Sequence, residues 1–287
     1  MKKLLVLVTV LMTGFAVMAC DIAGDDRVEL GYVNWAEGVA MNYVIEAILE
    51  DEMGYDVTSR MADVGPIFQS IANGNTDAFV DAWLPVTHQN YIDEYGDDID
   101  DLGYNFEGAR IGLVVPDYVY AEVQSIADLN DFVEQFDGRI IGIDAGAGIM
   151  SAADAAIAES GYDLDFELLT GTDPLMVIEL QQAINAGEWI VVTGWEPHYK
   201  FADFDLEFLD DPEGIFGDVE AIHTVARQGL SDDMPDVAAL LENFYLTSEQ
   251  MAGLMAMFQE HGDDLSEAEI ARLWIADNEA LVQSWLP

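Results

Sequence analysis

The stretch Asp81-Ala-Trp-Leu-Pro-Val-Thr-His88 brings a tryptophan, a proline and one of only four histidines into eight residues. It overlaps an apolar run that predicts a buried strand over residues 77–83. Because proline is tolerated in the first turn of a helix, Pro85 predicts a helix directly after this strand. Taken alone, Trp83 is typical of a partly buried core residue. The density of reactive and aromatic side chains nevertheless indicates a site.

An alternation of strands and helices extends from this stretch in both directions. Upstream, residues 28–33 predict a strand that ends at Trp35, and apolar residues at helical spacing then predict a helix as far as Gly54. Downstream, residues 110–116 predict another strand, after which the alternation begins afresh, and residues 221–226 predict a returning strand. This order is typical of an α/β protein with a parallel, helix-covered sheet.

The new alternation after residues 110–116, together with the returning strand over residues 221–226, predicts two lobes joined by two hinge strands. The first lobe is discontinuous and comprises residues 28–112 plus 218–287, and the second comprises residues 113–217. Clefts between domains are where small ligands usually bind. We therefore expect the ligand site between the lobes.

Three tryptophans occupy comparable positions, because Trp35, Trp83 and Trp195 each follow an apolar strand at its carboxyl end. In open parallel sheets, ligands bind at that edge. Several indole faces around one cavity suit a methylated ammonium, which is cationic but donates no hydrogen bond, and each ring contributes about 0.5–2 kcal/mol. The other tryptophans lack this placement and are assigned to packing: Trp189, Trp274 and Trp285.

A second candidate element is the segment Asp144-Ala-Gly-Ala-Gly-Ile-Met-Ser151, between a predicted strand and a predicted helix. Its two glycines let the backbone N–H groups of a helix start approach an anion. The third glycine of a dinucleotide fingerprint is missing, and a plain tight turn explains the segment equally well. Combined with the tryptophans, the segment would make a receptor for a zwitterion. His88 could donate a hydrogen bond to the carboxylate, or could be a solvated helix residue.

The amino-terminal residues predict export. Lys2 and Lys3 precede a short apolar run, and Val17-Met-Ala19 precedes Cys20, which is the only cysteine. This pattern predicts a signal peptide over residues 1–19, a lipidated Cys20 and a linker over residues 20–27. The alternative is a cleaved signal that leaves Cys20 as a free thiol, and mass spectrometry of the membrane fraction distinguishes the two. A single cysteine excludes disulfides within the chain and thiolate metal clusters.

The charge is strongly negative. Without residues 1–19, seven Lys and Arg remain against 56 Asp and Glu, a formal charge of −49. Such a surface repels nucleic acid and anionic lipid, so neither is a credible ligand. The composition instead suggests a protein exposed to concentrated salt, and the alternative is a merely acidic secreted protein.

We expect the melting temperature to rise between dilute buffer and about 1 M salt. At that concentration the screening length falls to about 3 Å, so the repulsion among the acidic side chains weakens. Calorimetric melts across this range test the expectation. A melting temperature that does not change with salt would contradict it.

Four blocks of sequence resemble the substrate-binding proteins of ABC importers for glycine betaine and related betaines. The likeness spans roughly residues 28–285. The blocks are Gly31-Tyr-Val-Asn-Trp35, Ala82-Trp-Leu-Pro-Val-Thr-His88, Gly142-Ile-Asp-Ala-Gly-Ala-Gly-Ile-Met150 and Thr193-Gly-Trp-Glu-Pro-His198.

The resemblance implies a two-lobed fold of the periplasmic-binding-protein type II-like class that closes on its ligand and docks onto a membrane permease. Matched position by position, it implies an aromatic box of Trp35, Trp83 and Trp195 around the trimethylammonium group. It assigns the ligand carboxylate to the backbone amides of Gly148 and Ile149 and to His88. Two further residues are matched at the pocket edge: Tyr199 stands where some relatives have another tryptophan, and His198 is interpreted as structural.

The sequence therefore predicts a lipid-anchored, monomeric extracytoplasmic receptor that delivers glycine betaine, or a related quaternary-ammonium zwitterion such as proline betaine, to an ABC transporter for osmoprotection. No cofactor, metal or catalytic residue is expected. A choline or carnitine receptor of the same fold is the main alternative, and a carboxylate cradle favours betaines over choline. A hydrolase of choline compounds is a second alternative, but the chain has no Gly-x-Ser-x-Gly elbow, no His-Glu-x-x-His pair and no cysteine nucleophile.

Overall fold

A computed structural model of the chain describes residues 26–287. The predicted signal peptide and Cys20 lie outside the described residues. The strands are β1 (Arg27–Tyr32), β2 (Asp56–Met61), β3 (Ala78–Leu84), β4 (Ile99–Pro116), β5 (Arg139–Ile141), β6 (Glu167–Leu169), β7 (Val192–Glu196), β8 (Leu206–Phe208) and β9 (Glu220–Arg227). The helices are α1 (Ala36–Asp51), α2 (Val64–Ala72), α3 (Gln89–Tyr95), α4 (Asp117–Tyr120), α5 (Gly148–Ile157), α6 (Asp173–Ala186), α7 (Lys200–Asp203), α8 (Leu230–Asp233), α9 (Pro235–Asn243), α10 (Ser248–His261), α11 (Glu267–Asp277) and α12 (Glu279–Trp285), with a 3-10 helix over Ile126–Phe132.

The strands pair in the order β2-β1-β3-β9-β4-β7-β5-β6, and β8 pairs with β4. The sheet is mixed, so the prediction of a parallel sheet is wrong for the pairs that β4 and β9 form. β1 is parallel to β2 and β3, and β5 is parallel to β6 and β7, but β9 is antiparallel to both β3 and β4, and β4 is antiparallel to β7 and β8. The antiparallel pairs arise because β4 leaves one half of the molecule and β9 returns to it in the opposite direction.

Strand β4 is much longer than predicted, because it begins at Ile99 rather than Arg110. Its first part alternates poorly, and its pairing with β9 is interrupted by register shifts, which explains why the periodicity did not reveal it. β4 pairs with β9 as far as Ala109 and with β7 from Arg110 onward. The two-lobed α/β fold is confirmed by its match to solved structures described below. The exact lobe bounds stay a prediction, and the change of partner lies close to the predicted border after residue 112.

Buried helices and strands fix the positions of the site residues. Helix α1 packs deeply, with Met41, Val44 and Ile45 fully inaccessible to solvent. Among the tryptophans assigned to packing, Trp274 and Trp285 are both buried and stack with ring centroids 6.3 Å apart. Within the described residues, no helix has the length and apolarity to cross a bilayer.

The predicted helix start at Pro85 is wrong. Residues 85–88 form a turn, and α3 begins only at Gln89. The cause is tertiary: the carboxylate of Glu220, on β9, accepts hydrogen bonds from the backbone N–H groups of Val86 (3.2 Å) and Thr87 (3.0 Å). These contacts satisfy the backbone in the turn, and they fix the loop that carries His88.

Candidate ligand-binding site

A cavity of about 270 Å³ lies between the predicted lobes. All six side chains and backbone positions proposed from the sequence line it: Trp35, Trp83, His88, Gly148, Ile149 and Trp195. The remaining wall residues are Glu37, Thr87, Ile111, Ile143 and Ala147.

The three cavity tryptophans are buried to within a few per cent, and each has its indole N–H satisfied by a different carboxylate. Trp35 donates to Asp144 (3.1 Å), Trp83 to Asp81 (2.8 Å) and Trp195 to Glu37 (2.9 Å). The hydrogen bonds fix the orientation of each ring. An acceptor that carries negative charge also polarises the indole, which favours a cation at the ring face.

Two of these hydrogen bonds cross between the predicted lobes. Trp35 belongs to the first lobe and its acceptor Asp144 to the second, whereas Trp195 belongs to the second and its acceptor Glu37 to the first. The aromatic walls are therefore complete only when the lobes are close together, as they are in this structure. The arrangement couples lobe closure to assembly of the cavity.

Glu37 is a cavity residue that the sequence reasoning missed. The composition predicts an acidic surface exposed to salt, and for Glu37 and Asp81 this prediction is wrong, because both are fully buried. Glu37 lies in the first turn of α1, two residues after Trp35, and its Oε1 has no hydrogen-bond partner within residues 26–287. Burial, and then the neighbouring Asp81, raise the pKa of Glu37 well above its ordinary value. A carboxylate in this place would stabilise a cationic group in the cavity.

Asp81 lies behind Trp83 rather than in the cavity wall. Burial raises the pKa of Asp81 to about 8, against the smaller opposing effect of the hydrogen bond from Trp83. Its Oδ2 packs against Gly38, where an added Cβ would lie only 2.3 Å from that oxygen. Asp81 therefore positions Trp83 on the side away from the ligand space.

His88 is fully buried, so the alternative of a solvated helix residue is wrong. Its Nδ1 accepts a hydrogen bond from the backbone N–H of Trp83 at 2.9 Å, and burial lowers its pKa to about 3. A neutral imidazole that accepts at Nδ1 carries its proton on Nε2. Nε2 has no partner within the described chain, so the cavity contains an N–H donor that is free for a ligand.

Gly148 and Ile149 form the first two positions of α5, where backbone N–H groups have no acceptor inside the helix. Neither N–H donates to another group within residues 26–287. Two free amides at a helix N-terminus, together with the His88 N–H, are suited to an anionic oxygen pair. Gly148 also lies against the backbone oxygen of Thr87, across the boundary between the predicted lobes.

Tyr199 and His198 do not line this cavity. His198 donates through Nε2 to Asp173 at 2.9 Å and accepts at Nδ1 from the backbone N–H of Lys200, contacts that agree with a structural role. Tyr199 packs on His198 with ring centroids 4.5 Å apart and lines a neighbouring cavity that shares only Trp35 with the first. Tyr199 is thus separated from the cavity that the three tryptophans line.

The chain also matches a known protein family. Residues 26–277 match the model of the substrate binding domain of ABC-type glycine betaine transport systems. A glycine betaine/carnitine transport binding protein of Listeria monocytogenes, GbuC, is 43% identical over 156 residues, which cover 54% of this chain and only 51% of that protein. The alignment thus spans about half the length of this relative.

Two solved structures share the fold over most of the chain. A glycine betaine, L-proline transporter binding protein (ProX) of Borrelia burgdorferi is 33% identical, with a TM-score of 0.86 and coverage of 91% of this chain and 97% of that one. Lactococcal OpuAC in its closed form with glycine betaine is 35% identical, with a TM-score of 0.83 and coverage of 91% and 99%. Because the family model matches most of the chain, this chain belongs to the family of substrate-binding domains of ABC-type glycine betaine transport systems.

Proposed function

We propose that the protein is an extracytoplasmic receptor that binds glycine betaine, or a closely related quaternary-ammonium zwitterion, and delivers it to an ABC importer. The observation that carries the proposal is the pairing of two chemistries in one small cavity: indole faces and the unpartnered Oε1 of Glu37 for a cation, and unpartnered N–H groups for an anion. Family membership and the ligands named for the relatives support the same class of ligand.

In the proposed complex, the faces of Trp35, Trp83 and Trp195 surround the methylated ammonium. A bound cation favours the ionised form of Glu37, which in turn stabilises the charge of the ammonium. Glu37 is an addition to the set expected from the sequence. The ligand carboxylate accepts from the amides of Gly148 and Ile149 and from His88 Nε2. Because a methylated ammonium donates no hydrogen bond, the site selects it by ring contact and charge rather than by acceptors.

Closure of the lobes is the proposed mechanism of capture. The ligand would bridge walls that belong to different lobes, and the hydrogen bonds from Trp35 to Asp144 and from Trp195 to Glu37 would form as it does so. A ligand that contacts both lobes can favour the closed state only through such differential contacts. The closed receptor would then dock on the permease.

A panel of analogues tests the proposal by isothermal calorimetry at high salt. We expect glycine betaine to bind at least tenfold more tightly than choline, which lacks the carboxylate, and than 3,3-dimethylbutanoate, which replaces the ammonium nitrogen with carbon. Tryptophan fluorescence should change on binding, since the rings line the cavity. If glycine betaine does not bind, or binds no more tightly than both analogues, the proposal is wrong; tighter binding of carnitine or choline would favour the alternative receptor.

The proposal assigns no catalytic step to the cavity. Retention at the membrane through a lipid on Cys20, and a monomeric state before docking, remain parts of the proposal that rest on the sequence alone. Intact-mass measurement of the membrane fraction tests the lipid directly.

A further inference from the structure

Lys200 is the only lysine after Lys3, in a chain with 56 acidic residues. Lysine is rarely buried without a partner, because removing an ammonium group from water is costly. Lys200 is nevertheless fully inaccessible to solvent. Lys200 has no role in the proposed binding mechanism, so the mechanism does not explain why this ammonium group is buried.

The ammonium group of Lys200 contacts Trp195, a wall residue of the proposed ligand cavity, without entering the cavity itself. Nζ is 3.8 Å from the ring centroid of Trp195 and 5.4 Å from that of Phe201, and it has no hydrogen-bond partner within residues 26–287. Lys200 itself does not line the cavity. Within the described chain, Trp195 is the only cavity tryptophan with a cation over its ring.

Four ionisable groups surround Lys200. Burial lowers the pKa of Lys200 to about 7, and the carboxylates of Asp173 at the start of α6, Glu37 on α1 and Glu196 on β7 oppose that shift. His198 also faces it, but burial lowers the pKa of His198 to about 4, so the imidazole is neutral. Lys200 is therefore able to change its charge near neutral pH.

We propose that Lys200 sets the affinity and the ligand selectivity of the cavity through Trp195. The inference rests on the proposed function. A cation bound at the Trp195 ring lies within about 6 Å of its centroid, so it is no more than about 10 Å from Nζ. Two like charges at that separation, at an effective dielectric constant of about 20, change affinity on the order of tenfold. The carboxylate of a zwitterion is attracted by the same ammonium, so choline is disfavoured more than glycine betaine.

The interaction is reciprocal: the proton on Lys200 weakens binding of the ligand, and the bound ligand weakens binding of that proton by the same free energy. The protonated form of Lys200 opposes the ligand, and the neutral form does not. Affinity should therefore rise as the pH increases through about 7. Ionisation of Glu37 and Asp81 acts in the same direction, so a pH profile of affinity alone does not isolate Lys200, and a measurement at the residue itself is needed.

Nuclear magnetic resonance of the protein labelled with ¹³C only in lysine provides that measurement. The only other lysines, Lys2 and Lys3, belong to the predicted signal peptide, so the protein without that peptide gives a single lysine signal, that of Lys200. We expect saturation with glycine betaine to lower the pKa of Lys200. Saturation with choline should lower it more, by about one unit relative to the ligand-free protein. A pKa that rises or does not change on saturation overturns the inference. Calorimetry on the same samples separates the proposed function from the role of Lys200. If glycine betaine does not bind, the proposed function is rejected. If it binds without changing the pKa of Lys200, only the role of Lys200 is rejected.

The substitution Lys200→Met gives an independent test, because methionine fills a similar buried volume without charge. At pH 6 we expect the Lys200→Met variant to bind choline about tenfold more tightly than the wild type does, and to bind glycine betaine more tightly by a smaller factor. At pH 8.5 the affinities of the variant and the wild type should be equal for both ligands. Arg60→Met is the control for loss of one positive charge, since Arg60 pairs with Glu29 at 2.7 Å and neither residue lines the cavity. A ratio of choline to betaine affinity that is unchanged by Lys200→Met contradicts the inference. If that variant does not fold, the titration of the wild type decides alone.

Discussion

Replacing Gly148 with alanine is expected to weaken glycine betaine binding at least a hundredfold while leaving the fold intact. An ideal Cβ at this position lies 2.2 Å from the backbone oxygen of Thr87 and 2.6 Å from its Cγ2. Real Cβ atoms do not approach a backbone oxygen so closely, so one of the two segments must move. Thr87 is held in place because its backbone N–H donates to Glu220 at 3.0 Å. The added methyl group would therefore keep the predicted lobes apart.

Keeping the lobes apart should lower the affinity for ligand and leave the stability of the ligand-free protein almost unchanged. Gly148 and Thr87 belong to different predicted lobes, and the open protein has no need to bring them into contact. With the lobes held apart, Trp35 and Trp195 lose their carboxylate partners across the cleft, and the walls of the cavity no longer meet. Isothermal calorimetry should show the loss of affinity, and thermal melts of the ligand-free protein should stay within a few degrees of the wild type.

Gly146→Ala is the matched control. Gly146 lies two residues earlier in the same loop, and the nearest atom to an added Cβ is the Cβ of Asp63, at an ordinary 4.0 Å. We expect this variant to bind glycine betaine with nearly unchanged affinity. Equal, wild-type affinity in both variants would show that capture does not require the approach of Gly148 to Thr87.

Removal of a single cavity tryptophan is expected to produce the second large effect. Trp83→Ala and Trp195→Ala should each weaken glycine betaine binding by more than tenfold, or about 1.4 kcal/mol. One aromatic face contributes about 0.5–2 kcal/mol to a bound cation, and its loss also admits water. Each substitution also leaves a buried carboxyl oxygen without its N–H donor, Oδ1 of Asp81 for Trp83→Ala and Oε2 of Glu37 for Trp195→Ala.

Trp189→Ala serves as the control for loss of an indole ring. Trp189 packs against Phe136, with ring centroids 5.3 Å apart, and lies outside the ligand cavity. Its removal should lower the melting temperature without changing affinity. Calorimetry of all three variants checks the assignment, and unchanged affinity in both cavity variants would refute the aromatic box.

Much of this site follows from local sequence. Trp83 and Trp195 lie at the carboxyl ends of β3 and β7, where the strand pattern of the sequence places them. The two strands run in opposite directions in the sheet, so their carboxyl ends face each other across the cavity. Gly148 and Ile149 are placed by the start of a helix, where amides are left free by the geometry of the helix itself. Each of these positions depends on periodicity and turn chemistry within a few residues, so the chain order is enough to predict them.

Burial of charge could not be predicted in the same way. In a chain with 56 acidic residues, nothing local distinguishes Glu37 and Asp81, which are buried, from the many acidic residues at the surface. Their surroundings are supplied by distant residues: Glu37 accepts from Trp195, 158 positions away along the chain. Solvent exclusion is a property of the packed molecule, and so are the pKa values that follow from it.

Most of the strands and helices, the aromatic and glycine elements of the cavity and the resemblance to the family follow from the amino-acid sequence. Tertiary structure alone decided that the sheet is mixed, that Pro85 lies in a turn held by Glu220, and that Lys200 lies against Trp195. The reason is physical. Periodicity and backbone chemistry act over a few residues, whereas desolvation and contacts between lobes depend on which distant segments the fold brings together.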